Sequence, residues 1–174
     1  MLDILKALKT MEDIETRMAD LYEWLGDAFA SDSDAAKLFM RLHMEEMSHR
    51  SVLQFQCRII LKNPRTFRGA ISFDGQYMQG VLDTIGRFRN KGSPPLLEEA
   101  VQVALMFETS AERLYHDSTL MNSIEGLGAF VSKLHHGCKD HSTALKLFAM
   151  ERGILDPPPD FPYAIPDPAG TAPA

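Results

Sequence analysis

An internal repeat constrains the fold of this chain more than any other feature of its sequence. Two residues recur 93 positions later: Glu15 as Glu108, and Tyr22 as Tyr115. Three recur 92 positions later: Leu42 as Leu134, His43 as His135, and His49 as His141. Apolar residues follow the same two spacings: Ile14 with Phe107, Leu21 with Leu114, Phe39 with Val131, and Leu53 with Leu145. The repeat predicts a helical hairpin that occurs twice.

Apolar residues at three- and four-residue steps predict four long helices. In the first segment this stripe consists of Leu5, Leu8, Met11, Ile14, Met18, Leu21 and Leu25. We expect helices over about residues 2–30, 34–62 and 96–120, and from a turn at Asn122-Ser123 to Arg152. The polar break at residues 31–34, proline at Pro64 and glycine at Gly153 are typical helix boundaries. In the long connection over residues 64–95, the stretch from Tyr77 to Phe88 predicts a short helix.

Two short-looped hairpins joined by a long crossover predict an all-α fold, a ferritin-like four-helix bundle. Residues 1–156 would form this bundle as one domain. Seven of the ten prolines fall between Pro157 and Pro173, so residues 157–174 are predicted to form a Pro-rich extended tail. Phe161 and Tyr163 are the residues expected to hold part of that tail against the bundle or a neighbouring subunit.

Charge and hydropathy exclude several classes of protein. The net charge is −6 and no basic block is present, which argues against nucleic-acid binding. No apolar stretch is long enough to span a bilayer, and the N-terminus lacks the pattern of a signal peptide, so we expect a cytoplasmic protein without a membrane partner. Cys57 and Cys138 form no CxxC pair, which disfavours a disulfide framework.

The pattern Glu46-x-x-His49 places a carboxylate and an imidazole on the same face of the second helix. Such a pair is costly inside a bundle unless a partner satisfies it, and a metal ion does so. In di-iron carboxylate bundles, two helices each contribute a Glu and the other two each contribute a Glu-x-x-His pair. Five of those six groups are present at the repeat positions: Glu15, Glu46, His49, Glu108 and His141. At the sixth position, which is the repeat partner of Glu46, the chain has Cys138 where the second Glu-x-x-His pair would have its Glu.

This arrangement resembles the rubrerythrin branch of the ferritin-like di-iron carboxylate superfamily over roughly residues 8–152. The resemblance rests on Phe39-x-x-Leu42, on Glu46-x-x-His49, and on two Glu residues that each precede a Tyr by two turns. It implies non-haem iron between the four helices, a peroxide reductase or oxidase activity that uses hydrogen peroxide or dioxygen, and a homodimer.

The resemblance also implies roles for individual residues. The metal ligands would be Glu15, Glu46, His49, Glu108 and His141, and no further catalytic residue is implied. Tyr22 and Tyr115 would hydrogen-bond to the ligating carboxylates. His43 and His135 lie one turn before Glu46 and Cys138, and we consider them as extra ligands or as outer hydrogen-bond donors.

Three departures from the rubrerythrin pattern bear on the chemistry. Cys138 replaces a ligating Glu, and either ligates iron or zinc as a thiolate or fills the core as a thiol. Glu112 is a candidate to replace the missing carboxylate. Ala111 stands where rubrerythrins carry an additional Glu. The chain lacks a rubredoxin module, so an enzyme of this type would need an external electron donor.

Three functions remain open from the sequence. The first is a protein with one or two non-haem irons that reacts with peroxide or dioxygen as an oxidoreductase; zinc is also a possible bound metal. The second is metal or iron handling without redox turnover. The third is a degenerate, metal-free bundle that acts through protein interaction. Glu45 and Asp140 adjoin the ligand positions but lie about 100° around their helices, so we expect both to face solvent.

Overall fold

The structure is a computed structural model that describes residues 2–64, 74–117, 127–157, 161–163 and 165. These residues form five α-helices and no β-strand: α1 (Leu2–Ala28), α2 (Ser33–Lys62), α3 (Gly75–Arg89), α4 (Leu97–Asp117) and α5 (Leu127–Arg152). The all-α prediction is confirmed for this part of the chain. The predicted turn at 122–123, the side chain of Tyr115 and most of the Pro-rich tail lie outside the described residues.

The helices pack in two antiparallel pairs, α1 with α2 and α4 with α5, and α3 packs against α1. The apolar stripe of α1 is buried as its periodicity predicts, except that Ile4 rather than Leu5 completes it at the N-terminal end. The apolar repeat partners whose side chains are described also lie in the core: Ile14, Phe107, Leu21, Leu114, Phe39, Leu53 and Leu145. The sequence repeat therefore corresponds to two pairs of helices, and the repeated apolar residues lie on the buried faces of both pairs.

The crossover between the pairs contains α3, which is slightly longer than the predicted helix. Its last turn places Phe88 between Trp24 of α1, with ring centroids 6.1 Å apart, and Tyr163, at 5.0 Å. The side-chain amide of Gln102 donates a hydrogen bond to the carbonyl of Leu155 at 2.9 Å. These contacts hold the described part of the C-terminal segment against the helices.

The C-terminal end of α5 contacts the N-terminal end of α2 at the residue that caps α2. The Asp32 side chain accepts hydrogen bonds from the backbone amides of Asp34 and Ala35, both at 3.2 Å, and so caps α2. Arg152, in the last turn of α5, donates two hydrogen bonds to the same carboxylate at 2.8 and 2.9 Å. Beyond it, Gly153 has φ +66°, and Ile154 N–H donates to the carbonyl of Ala149 in a Schellman motif.

Replacing Asp32 by alanine is expected to lower the melting temperature, because the change removes the cap of α2 and the bidentate partner of Arg152 together. The Asp32→Asn protein should recover part of the loss, since an amide oxygen still caps the helix. Asp34→Ala is the matched control: it removes the same charge beside Arg152, where the contact is 3.4 Å, and leaves the cap in place. Thermal denaturation followed by circular dichroism makes the comparison. An equal loss in the Asp34→Ala protein would contradict the assigned role of the cap.

No helix within the described ranges has both the length and the apolar character needed to cross a membrane.

Candidate metal centre

A buried glutamate and a partly buried histidine from α2 form the first part of the site. Glu46 is fully buried, and Oε2 of its carboxylate lies 3.1 Å from Nδ1 of His49. The two side chains leave the same face of α2 because their spacing of three residues is close to one helical turn. The His49 side chain keeps 13% of its surface exposed, so the pair extends from the core to the edge of the solvent.

His141 brings α5 to the same point. Its Nδ1 lies 3.0 Å from Oε1 of Glu46 and 3.3 Å from Oε2 of Glu108, which belongs to α4. The imidazole rings of His49 and His141 stack with their centroids 5.3 Å apart. From α1, Oε2 of Glu15 approaches Nδ1 of His49 at 3.4 Å. All five side chains predicted as ligands therefore converge in one buried cluster.

Three members of this cluster lie close enough together to be able to hold one metal ion. One ligand atom each from Glu46, His49 and His141 can be chosen so that all three lie within 4.8 Å of one another. Oε1 of Glu46 is buried and accepts no well-aligned hydrogen bond within the described part of the chain. A buried carboxylate oxygen facing an imidazole nitrogen without such a bond suits a shared cation between them.

Burial and mutual repulsion govern the protonation of the cluster. Burial raises the pKa of Glu46 well above its usual range, and the neighbouring charges of Glu15 and Glu108 raise it further. Burial alone would lower the pKa of both imidazoles. Their contacts with the carboxylates outweigh this effect and raise the pKa of His49 to about 10 and that of His141 to about 11. Without an ion, protons on the imidazoles therefore balance the carboxylates.

Metal-free protein is expected to lose stability as the pH rises. Each of the two imidazoles has a pKa near 6.5 in the unfolded chain and of about 10 or 11 in the folded chain. Its protonation therefore stabilises the folded state to the full extent below pH 6.5, and this stabilisation declines progressively until the pH reaches the pKa of the folded chain. Urea denaturation with a chelator present, compared between about pH 7 and about pH 8.5, measures the decline.

The double variant His49→Gln, His141→Gln is the control for that measurement, because its dependence on pH over the same range should be flatter. Unchanged stability of the wild-type protein between the two pH values would contradict the protonated imidazoles.

Tyr22 fixes the orientation of Glu108. Its hydroxyl donates a hydrogen bond to Oε1 of that carboxylate at 2.6 Å, and both side chains are fully buried. Burial, followed by the charges of Glu108 and Glu46, raises the pKa of the phenol well above its usual value, so the hydroxyl remains a donor. The other oxygen of Glu108 is left to face His141.

The other residues that the sequence suggested as ligands or hydrogen-bond donors have different surroundings. Cys138 lies in the core one turn before His141, and burial with the nearby carboxylates raises its thiol pKa well above the usual value. Glu112 approaches His135, with Oε1 and Nε2 3.7 Å apart. Nδ1 of His43 lies 3.0 Å from the backbone carbonyl of Ala19, on α1.

Two features of the site were not found by sequence reasoning. Asp140 is exposed as predicted, but Glu45 does more than face solvent: it keeps 39% of its surface exposed while Oε2 lies 2.8 Å from Nε2 of His141. Gly137 lies against the ring of His49, where a Cβ atom would overlap Nε2 and Cε1. The helical pattern carried no signal for either contact, because both depend on how closely α2 and α5 approach.

A cleft of about 340 Å³ lies between α2 and α5 and leads from the surface to both imidazoles. Its lining includes Arg41, Glu45, His49, Gly137 and His141. The cluster is therefore closed on the side of Glu46 and approachable on the side of His49.

The chain matches no protein-family model, and no curated protein or solved structure matches it.

Proposed function

We propose that this chain is a rubrerythrin-like, ferritin-like bundle that binds a divalent transition metal, with iron as its native ion, and reacts with hydrogen peroxide or dioxygen. The observation that carries the proposal is the group formed by Glu46, His49 and His141, whose ligand atoms lie within 4.8 Å of one another. Carboxylate and imidazole donors are those used by non-haem iron sites with open coordination positions.

The charges of the cluster fit one divalent cation. Without an ion, the raised pKa values of His49 and His141 place two imidazolium charges among the carboxylates. Exchanging those two imidazolium protons for one divalent ion leaves the net charge of the cluster unchanged. A second divalent ion would add two more positive charges, which Cys138 offsets only as a thiolate, and burial raises the pKa of that thiol well above its usual value. We therefore propose one tightly held ion, with zinc as the alternative to iron.

The helix pairing supports the ferritin-like part of the proposal. The α1/α2 pair supplies Glu15, Glu46 and His49, and the α4/α5 pair supplies Glu108 and His141. The connection that contains α3 is long enough for the second pair to repeat the first. The repeated positions meet at one point, which is what the di-iron carboxylate architecture requires.

In such a site, the residues around the ion would orient its ligands and control access to it. A bound iron ion would supply one-electron chemistry toward peroxide or dioxygen. Tyr22 holds Glu108 in one orientation through its hydrogen bond. Burial of Glu15, Glu46 and Glu108 excludes water from the carboxylate side, and the cleft beside His49 admits a molecule as small as peroxide. Turnover would also require an external reductant.

The first experiment measures metal content after anaerobic loading with ferrous iron, and separately with zinc. We expect about one ion per chain in the wild type and a large loss in the Glu46→Ala and His49→Ala proteins. His43→Ala is the matched control, because His43 lies on the same helix and contacts the backbone of α1 instead. Equal metal content in the wild type and the His49→Ala protein would refute the proposed site.

A second experiment separates redox activity from metal handling. Handling without turnover is the second candidate function, because the donors suffice for one ion and metal binding by itself needs no electron donor. Reduced, iron-loaded protein should consume hydrogen peroxide faster than the same amount of free ferrous iron. Consumption no faster than that of free iron would leave metal handling as the function.

A further inference from the structure

Glu45 connects the surface of α2 to a metal-site imidazole on α5. Oε2 of its carboxylate lies 2.8 Å from Nε2 of His141. The other oxygen, Oε1, accepts a hydrogen bond from Nε of Arg41 at 3.0 Å. Arg41 and Glu45 are four residues apart on α2, a spacing at which helical side chains meet. The guanidinium therefore holds the carboxylate in the position from which it reaches across the cleft.

The two nitrogens of His141 face different surroundings. Nδ1 points to the buried carboxylates of Glu46 and Glu108, and Nε2 points outward to Glu45. In a neutral imidazole one nitrogen carries the proton and the other keeps a lone pair. Nδ1 faces carboxylates as well, so its lone pair becomes available only when an ion takes the place of the proton there. The Glu45 carboxylate, 2.8 Å away, then favours the remaining proton on Nε2 and leaves the lone pair of Nδ1 directed into the cluster.

We propose that Glu45 is a positioning residue, which fixes the tautomer and orientation of His141 so that Nδ1 serves as the metal ligand. The inference rests on the proposed metal site and adds a residue outside the predicted ligand set. Outer carboxylates of this kind orient ligating imidazoles and raise their basicity, and their removal costs about 10–100-fold in metal affinity.

The two imidazoles are held by different means. The Nε2 edge of His49 lies against Gly137, so this ring is positioned by close packing. The ring of His141 lies at ion-pair distance from Glu45, whose other carboxylate oxygen accepts a hydrogen bond from Arg41. Loss of the Glu45 carboxylate should therefore affect His141 and leave the packing of His49 unchanged.

The test compares four proteins: wild type, Glu45→Ala, Glu45→Gln and Asp140→Asn. Asp140 is the matched control, because it lines the same cleft and carries the same charge. Affinity is measured by titration with zinc and, anaerobically, with ferrous iron. We expect Glu45→Ala to bind about 10–100-fold more weakly. Glu45→Gln should stay closer to wild type, because its amide oxygen still accepts from Nε2, and Asp140→Asn should match wild type.

A spectroscopic readout distinguishes positioning from a general effect on structure. Two-bond ¹H–¹⁵N NMR spectra of the zinc-loaded protein report which nitrogen of His141 carries the proton. We expect the proton on Nε2 in the wild type and the Glu45→Gln protein, and loss of this single tautomer in the Glu45→Ala protein.

Unchanged zinc and iron affinity in the Glu45→Ala protein, or a proton on Nδ1 in the wild type, would overturn the inference and leave the proposed function standing. An Asp140→Asn protein as weak as Glu45→Ala would overturn it too, because cleft charge alone would then explain the effect. A wild-type chain that binds neither ion overturns both the inference and the proposed function.

Discussion

The Gly137→Ala protein is expected to bind zinc or ferrous iron about tenfold more weakly than the wild type, or more weakly still. A Cβ atom at this position would overlap Nε2 and Cε1 of His49. The ring must then rotate away from Glu15 and Glu46, its two carboxylate partners. Since alanine favours helix over glycine by up to about 1 kcal/mol, the fold itself should persist. Metal titration and helix content by circular dichroism separate the two effects.

Gly80→Ala is the control for this substitution. Gly80 also lies within a helix, but a Cβ atom there would meet nothing closer than Cγ2 of Ile165 at 3.9 Å. This protein should bind metal as the wild type does. Full metal affinity in the Gly137→Ala protein would show that His49 is not a ligand, or that its ring adapts without leaving the site.

The Phe39→Ala protein is expected to lose about 3–5 kcal/mol of unfolding free energy. Phe39 is completely buried, and its ring stacks between Tyr22, with centroids 6.3 Å apart, and Phe29, at 5.8 Å. Truncation removes this apolar volume and leaves a cavity beside Tyr22. The ring of Tyr22, whose hydroxyl donates to Glu108, would then lose the aromatic ring that stacks against it. Urea denaturation of the metal-free protein measures the change directly.

Phe55→Ala is the matched control on the same helix. Phe55 keeps 60% of its surface exposed, so its truncation should change the unfolding free energy by no more than about 0.5 kcal/mol. A Phe39→Ala protein that loses no more than the Phe55→Ala protein would contradict the assigned core.

The helices were predictable because their apolar residues recur at three- and four-residue steps between residues that are typical of helix ends. The buried stripe of α1 and the boundaries near Pro64 and Gly153 follow from local physical chemistry. The internal repeat added information on tertiary structure, since it related Glu15 to Glu108 and His49 to His141 before any contact was known. The structure brings all four side chains together, whereas their role as ligands remains a prediction.

The contacts that Glu45 and Gly137 make between α2 and α5 were not predictable from the sequence. Glu45 lies 100° around the helix from Glu46, and helical geometry alone directs it to solvent. Its contact with His141 arises because the ring of His49 fits against Gly137, which allows the two helices to approach closely. Similarly, the partners of His43 and Glu112 are set by packing across helices, and a repeat within one chain carries no information on them.

The distribution of the clustered groups along the chain has a consequence for biosynthesis. Glu15, Glu46 and His49 leave the ribosome long before Glu108 and His141 do. Until α4 and α5 have been synthesised and have docked, the acidic groups and the imidazole of the first hairpin lack the residues that cover them in the folded chain. An ion that uses His141 as a ligand, as we propose, would therefore reach its full set of ligands only after the two pairs of helices have joined.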